Sequence, residues 1–273
     1  MNARTASLGD TLLVADVGNT RIKLAVVAPV AAADGLPGIA RRQDLLSRDF
    51  RPANLENWLD GVAPGPAVLL VASVHEAAAV RLEAAVAEVS ATRYRAIRQR
   101  RIAAADLPLE LLVEAPHRVG IDRLAGAAAA ARVKARGRAA IVVDCGTAAT
   151  VDMVSPEGRF LGGAILPGPA LMARALAEGT SRLPEVAALD HGPPPAMPGR
   201  STQEAIAAGI GWGSRGAVAR LVAEAQAAFG GGAQVMLTGG SAGLVRDALP
   251  GALDMPDLVL CGIALAAERA CGR

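Results

Sequence analysis

Aromatic residues are scarce in this chain: two Trp, one Tyr and three Phe among 273 residues. A core must therefore be assembled from Ala, Val, Leu and Ile, which dominate the 52% hydrophobic fraction. Lysine is nearly absent; Lys23 and Lys134 are the only two, and every other cation is Arg. The Ala/Arg/Gly bias reads as a GC-rich coding background without functional content. The formal net charge is only +2, which argues against a nucleic-acid binder. Cysteine is limited to Cys145, Cys261 and Cys271, an odd number with neither CxxC nor metal-ligand spacing. That excludes a disulfide framework and fits a reduced, cytosolic protein. No run of about 18 apolar residues exists, so no membrane span is expected. The block "LAGAAAAARV" (124–133) is short and Ala-dominated and reads as a helix. Asp10 and Asp16 interrupt the N-terminal apolar stretch, so no secretory leader is expected and the predicted location is cytoplasmic. Neither lysine completes a GxxxxGK[ST] loop. "GWGSRG" (211–216) matches GxGxxG but follows a helical pattern, which removes the strand context that motif needs.

What the chain does contain is a duplicated pattern. "LLVADVGNTRIKLAVV" (12–27) is a buried strand, a polar break at Asp16, Gly18, Asn19 and Thr20, and a second strand bearing Lys23. "AIVVDCGTAATVDMVS" (140–155) repeats it, with Asp144 and Gly146 in the places of Asp16 and Gly18, 128 positions later. That spacing is about one domain length, so two related α/β domains are predicted, 1–134 and 135–273. A glycine at the turn admits a ligand close to the backbone, and successive backbone N–H groups form an anion-binding hollow. A carboxylate beside a phosphate makes sense only with a divalent cation between them. Two such loops facing across a cleft suit a nucleoside triphosphate. "LTGGSAG" (237–243), where a strand ends on two glycines and a helix begins, suits its adenosine end.

Between these motifs the periodicity predicts further elements. Helices are expected at 54–62 (Asn54 as cap, Gly61 as stop), 75–90, 120–137, 201–230 and 257–271, with another after Pro169. Strands are expected at 67–73, 93–100, 159–166 and from 233, and residues 183–200 form a Pro-rich, mobile loop. His75, His117 and His191 receive no chemical role.

Taken in order, "DVGNTRIK", "GIDR", "DCGTAAT", "GGAILPG", the Thr of "RSTQEAIAAG" and "LTGG" resemble the type III pantothenate kinases, also known as Bvg accessory factors. The resemblance spans about residues 12–265. It implies the fold shared by actin, heat-shock chaperone ATPases and sugar kinases: two related α/β domains with ATP between them. It implies that Asp16, Val17, Gly18, Asn19, Thr20, Arg21, Ile22 and Lys23 hold the ATP phosphates, Asp16 organising Mg²⁺. Thr147, Gly239 and Gly240 would contact ATP from the second domain, and Asp144 would bind a monovalent cation, K⁺ or NH₄⁺. Gly120, Ile121, Asp122 and Arg123 would bind pantothenate, with Asp122 the general base, and Thr202 would touch the same substrate. An acidic–basic pair opening a helix is ordinarily a helix-terminal charge with a solvated Arg; the surrounding constellation selects the other role. One departure stands out: Val113 and Ala115 occupy positions where the family commonly has Tyr and Asn. The implied activity is transfer of the ATP γ-phosphoryl group to pantothenate, the first step of coenzyme A biosynthesis, by a homodimer with no nucleic-acid or membrane partner. A sugar kinase of the same fold and a non-catalytic ATP-binding regulator are the competing expectations. Small residues in "GGAILPG" and 124–133 would permit close packing between subunits.

Overall fold

A computed structural model describes residues 10–28, 35–93, 96–187, 189, 192 and 195–270. The chain divides into two compact units, Met1–Val133 with Asp257–Arg273, and Lys134–Pro256.

In the first unit, strands β1 (Thr11–Val17), β2 (Arg21–Val27), β3 (Ile39–Leu46), β4 (Ala67–Ser73) and β5 (Ile97–Arg101) form a sheet in the order β3-β2-β1-β4-β5. Pairs β1–β2 and β2–β3 are antiparallel; β1–β4 and β4–β5 are parallel. One face carries Leu13, Ala15, Val17, Ile22, Leu24, Leu69 and Val71 against helices α1 (Pro52–Val62) and α2 (Glu76–Thr92). The aromatic deficit is thus met with aliphatic side chains, as the composition requires. Helix α1 begins at Pro52 with Arg51 as its cap, so Asn54 lies inside it and Gly61 does not stop it. Proline at the first helical position loses no useful donor and presets φ, which outcompetes Asn54 as the start signal. His75 caps α2, its Nδ1 accepting the Ala78 N–H at 3.2 Å. Strand β3 has no clear sequence signature: "IARRQDLL" is mostly exposed, as a charged edge strand is. The edge strand expected at 93–100 is the shorter β5, and Tyr94 and Arg95 lie outside the described residues. A two-residue strand, β6 (Glu110–Leu111), precedes helix α3 (Ile121–Val133). Helix α3 ends four residues before Gly137, whose φ of +75° belongs to the following turn.

The second unit repeats this plan. Strands β7 (Ala140–Cys145), β8 (Ala148–Val154), β9 (Arg159–Pro167), β10 (Gln234–Thr238) and β11 (Leu253–Asp254) run in the order β11-β10-β7-β8-β9. Again two antiparallel pairs, β7–β8 and β8–β9, are followed by two parallel ones, β7–β10 and β10–β11. Helices α4 (Pro169–Gly179), α5 (Thr202–Ala228) and α6 (Ala242–Val245) belong to this unit. Helix α5 is continuous through its glycines. It opens on a capping box in which Ser201 Oγ accepts the Glu204 N–H at 3.2 Å and Glu204 accepts the Ser201 N–H at 3.3 Å. Of the Pro-rich stretch 183–200, residues 188, 190, 191, 193 and 194 are outside the described set, His191 among them, as is Cys271 further on. Its described part is tethered: Trp212 Nε1 donates to the Pro195 carbonyl at 3.0 Å.

Two expectations need correction. The last helix, α7 (Leu258–Ala270), belongs to the first unit rather than to a domain 135–273. Gly262 lets it cross α3 so closely that an added Cβ would lie 1.9 Å from the Ala125 carbonyl oxygen. The small residues of α3 are consequently spent inside the chain: Leu124 to Ala130 are buried. They are unavailable for packing between subunits. Among the described residues no helix is long and apolar enough to cross a membrane.

Candidate functional site

In the first unit the polar residues gather at the C-terminal ends of β1 and β4. Asp16 is the penultimate residue of β1 and is 8% exposed; its register partner on β2 is Lys23, with Lys23 Nζ 3.7 Å from Asp16 Oδ2. The pair is a buried carboxylate with its counter-charge one strand away. The intervening turn closes through the Gly18 N–H, which donates to the Arg21 carbonyl at 3.0 Å. Asn19, Thr20 and Arg21 are exposed there, while Val17 and Ile22 are core residues. The chain beyond β4 ties in, since the Val74 N–H donates to the Val17 carbonyl at 3.1 Å. Val74 in turn faces the 120–123 motif: a Cβ on Gly120 would lie 3.5 Å from Val74 Cγ1 and only 2.5 Å from Asp122 Oδ1. The Asp122 carboxylate thus curls back over Gly120, and a side chain at 120 would displace it. Asp122, in the first turn of α3, also accepts the Arg123 N–H at 2.8 Å. One sheet end therefore brings together 16–23 and Gly120, Ile121, Asp122 and Arg123, residues about 100 positions apart in the chain.

In the second unit the equivalent end of β7 carries Asp144. Its register partners are Thr150 on β8 and Thr238 on β10. Residues directly opposite one another share a sheet face. Thr238 Oγ1 donates to the Pro256 carbonyl at 3.3 Å, but Thr150, a residue 8% exposed, buries an Oγ1 that has no hydrogen-bond partner among the described residues. An orphaned buried hydroxyl is costly, and on the same sheet face as the Asp144 carboxylate it is an oxygen donor of the kind hard cations take. Oxygen donors of this kind fit a monovalent cation. The Asp16 carboxylate likewise fits a hydrated divalent ion.

The turn after Asp144 is clamped by glycines. Gly239, at φ +98°, would place a Cβ 2.5 Å from Asp144 Oδ1 and from the Cys145 backbone. Gly168 would place one 2.3 Å from the Gly146 carbonyl oxygen, and its N–H donates to the Thr147 carbonyl at 3.0 Å. The Ser241 N–H donates to the Cys145 carbonyl at 2.8 Å. So "DCGT", "GGAILPG" and "LTGG" converge on one place. Gly239 is spent on this close approach, whereas Gly240 has open space around its Cβ direction, where a ligand can meet backbone. Burial, helped by the Asp144 charge, pushes the Cys145 thiol up to about 12, so it is an inert core group. Thr202 stands apart from this cluster, exposed at the first position of α5.

Sequence reasoning missed Thr150 and Ser47. Ser47 is fully buried just beyond β3, and its hydroxyl donates to the Gly18 carbonyl at 2.7 Å. Thr150 closes the "DCGTAAT" motif, but nothing in the motif marks its hydroxyl as a donor beside Asp144, and Ser47 stands in no recognisable motif and lies 29 positions from its partner.

Known proteins show the same pattern. A family model described as type III pantothenate kinase matches residues 12–224. A type III pantothenate kinase of Rhodopirellula baltica is 38% identical over 265 residues, covering 89% of this chain and 94% of the relative. One from Alkalilimnicola ehrlichii is 37% identical over 254 residues, covering 92% and 96%. Among solved structures, a Baf family protein from Campylobacter jejuni aligns over 96% of this chain and 100% of its own, at 17% identity and a TM-score of 0.55. A Sinorhizobium meliloti protein named as a 2-dehydro-3-deoxygalactonokinase aligns over 95% and 99%, at 18% identity and a TM-score of 0.51. These two structural likenesses speak for the fold alone: the duplicated α/β plan of the actin, chaperone ATPase and sugar kinase class.

Proposed function

We infer the function from one premise: the chain belongs to the type III pantothenate kinase family. It is an enzyme that phosphorylates pantothenate with ATP, giving 4′-phosphopantothenate at the entry to coenzyme A biosynthesis. The observation that carries this reading is the convergence of the 16–23 turn and the 120–123 motif on one sheet end, through Val17, Val74 and Gly120.

In the reaction, the primary hydroxyl oxygen of pantothenate bonds to the γ-phosphorus, the bond from that phosphorus to the β,γ-bridging oxygen breaks, and ADP departs. Asp122 orients the hydroxyl and takes its proton. A loose phosphoryl-transfer transition state asks mainly for alignment and charge compensation, so the base need not be strongly basic. The Asn19 and Arg21 amides of the turn and the Lys23 ammonium compensate charge on the phosphates. Asp16 would hold Mg²⁺ together with ATP, and the ion would supply the remaining neutralisation. Asp144 with the Thr150 hydroxyl would hold K⁺ or NH₄⁺, and the ion would supply a fixed positive charge there. Thr147 and Gly240 meet the nucleotide directly, and Gly239 acts through the shape of that turn. Gly120, Ile121, Arg123 and Thr202 hold pantothenate. The protein acts in the cytoplasm as a homodimer.

A coupled assay for ADP release with ATP and pantothenate tests the reading directly, run in potassium and in ammonium-free sodium buffer. Turnover dependent on pantothenate and favoured by potassium is expected. No turnover in either salt would move the weight to a non-catalytic regulator, and full activity in sodium would remove the monovalent cation. Light scattering at micromolar concentration should give twice the 27.6 kDa of one chain.

A further inference from the structure

The turn at 18–21 is held from one side by Ser47. Ser47 is fully buried and spends both of its donors there: its N–H on the Thr20 carbonyl at 3.0 Å and its hydroxyl on the Gly18 carbonyl at 2.7 Å. Its own carbonyl accepts from Arg81 Nη2 on α2, which fixes it from behind. In a trans peptide the C=O and the following N–H point to opposite sides of the chain. Drawing the Gly18 and Thr20 carbonyls toward Ser47 therefore turns the Asn19 and Arg21 N–H groups away from it. Without the hydroxyl, the Gly18–Asn19 peptide can rotate, because glycine opposes such rotation little.

We propose that Ser47, braced by Arg81, is a positioning residue that aims the Asn19 and Arg21 amides at the phosphates of ATP. This rests on residues 16–23 being the phosphate turn. Ser47 touches neither substrate in this role. It sets the direction of two dipoles in advance, so that they need no reorientation when phosphate arrives.

The test compares nucleotides with and without phosphates. Titration calorimetry with ATP, ADP and adenosine is run on the parent protein and on Ser47→Ala, with thermal melting as a control of folding. We expect Ser47→Ala to weaken ATP and ADP binding roughly tenfold, ~1.4 kcal/mol. Adenosine affinity should stay within about twofold, and KM for ATP should rise more than kcat falls, with KM for pantothenate unchanged. Unchanged ATP affinity in a folded Ser47→Ala protein overturns the proposal. So does an equal loss for ATP and adenosine, which marks general loosening. If Ser47→Ala does not fold, Arg81→Gln carries the test: a smaller loss with the same split between ATP and adenosine supports the proposal, and unaltered ATP binding overturns it. A parent protein that binds no ATP would overturn the kinase reading, and this proposal with it.

Discussion

Opposite Asp16 across its hairpin stands Lys23; opposite Asp144 stands Thr150. The two hairpins occupy the same place in sheets of matching strand order, yet they are finished differently. The first turn, from Gly18 to Arg21, is one residue longer than the second, where the Gly146 N–H closes on Ala148 at 3.0 Å. The first is supported by a buried serine that steers its carbonyls. The second is supported by glycines that allow neighbouring backbone to touch it. The first carboxylate has an ammonium beside it, and the second has a neutral hydroxyl opposite it. The same strand order occurs twice, and a few side chains distinguish the two hairpins.

The largest effect is expected from a residue in neither hairpin. Asp122→Asn keeps volume and removes charge, so kcat should fall by roughly 10²–10⁴ as for loss of a general base. ATP affinity should hold, because both hairpins are untouched. Near-normal kcat in steady-state assays would end the assignment of the base. Next, Lys23→Gln removes the ammonium that distinguishes the first hairpin. Here kcat/KM for ATP should drop by about 10²-fold, and unchanged ATP kinetics would mean that the hairpins do not differ in the way proposed.

Glycine substitutions sharpen the contrast in stability. Gly239→Ala meets three atoms at 2.5 Å at a positive φ, so chemical denaturation should show a loss above ~3 kcal/mol. Gly240→Ala, with open space, should cost less than ~1 kcal/mol. Gly18→Ala, whose Cβ would lie 3.2 Å from the Arg21 carbonyl oxygen, should cost about 1 kcal/mol. Equal losses at 239 and 240 would contradict the packed-turn description. The smallest effect concerns Thr150→Val, an almost isosteric change that deletes an unsatisfied buried hydroxyl. In potassium-free buffer it should stabilise the protein by up to about 1 kcal/mol, while more potassium becomes necessary for half-maximal turnover. A destabilised variant with an unaltered potassium requirement would show that the hydroxyl serves the fold alone.

Much of this was legible in the chain itself. The two Asp–x–Gly hairpins, their flanking strands, β4, α2 and α5 follow from local periodicity, turn chemistry and caps. Those signals act over a few residues and survive in any context. Strand β3 was not legible, because a charged edge strand loses the alternation that marks a half-buried one. The start of α1 was misread, because Pro52 and Asn54 are competing signals two residues apart.

What the sequence alone determined was the repeat and the order of its motifs, and hence the fold class and the kind of chemistry. Tertiary structure alone decided which distant residues serve each hairpin. Helix α7 returns to the first unit because Gly262 fits against Ala125. Ser47 reaches Gly18, and Thr150, opposite Asp144, keeps a hydroxyl without a partner among the described residues. These facts depend on atoms meeting within a few ångströms across long stretches of chain, and no local pattern of residue types records which atoms will meet.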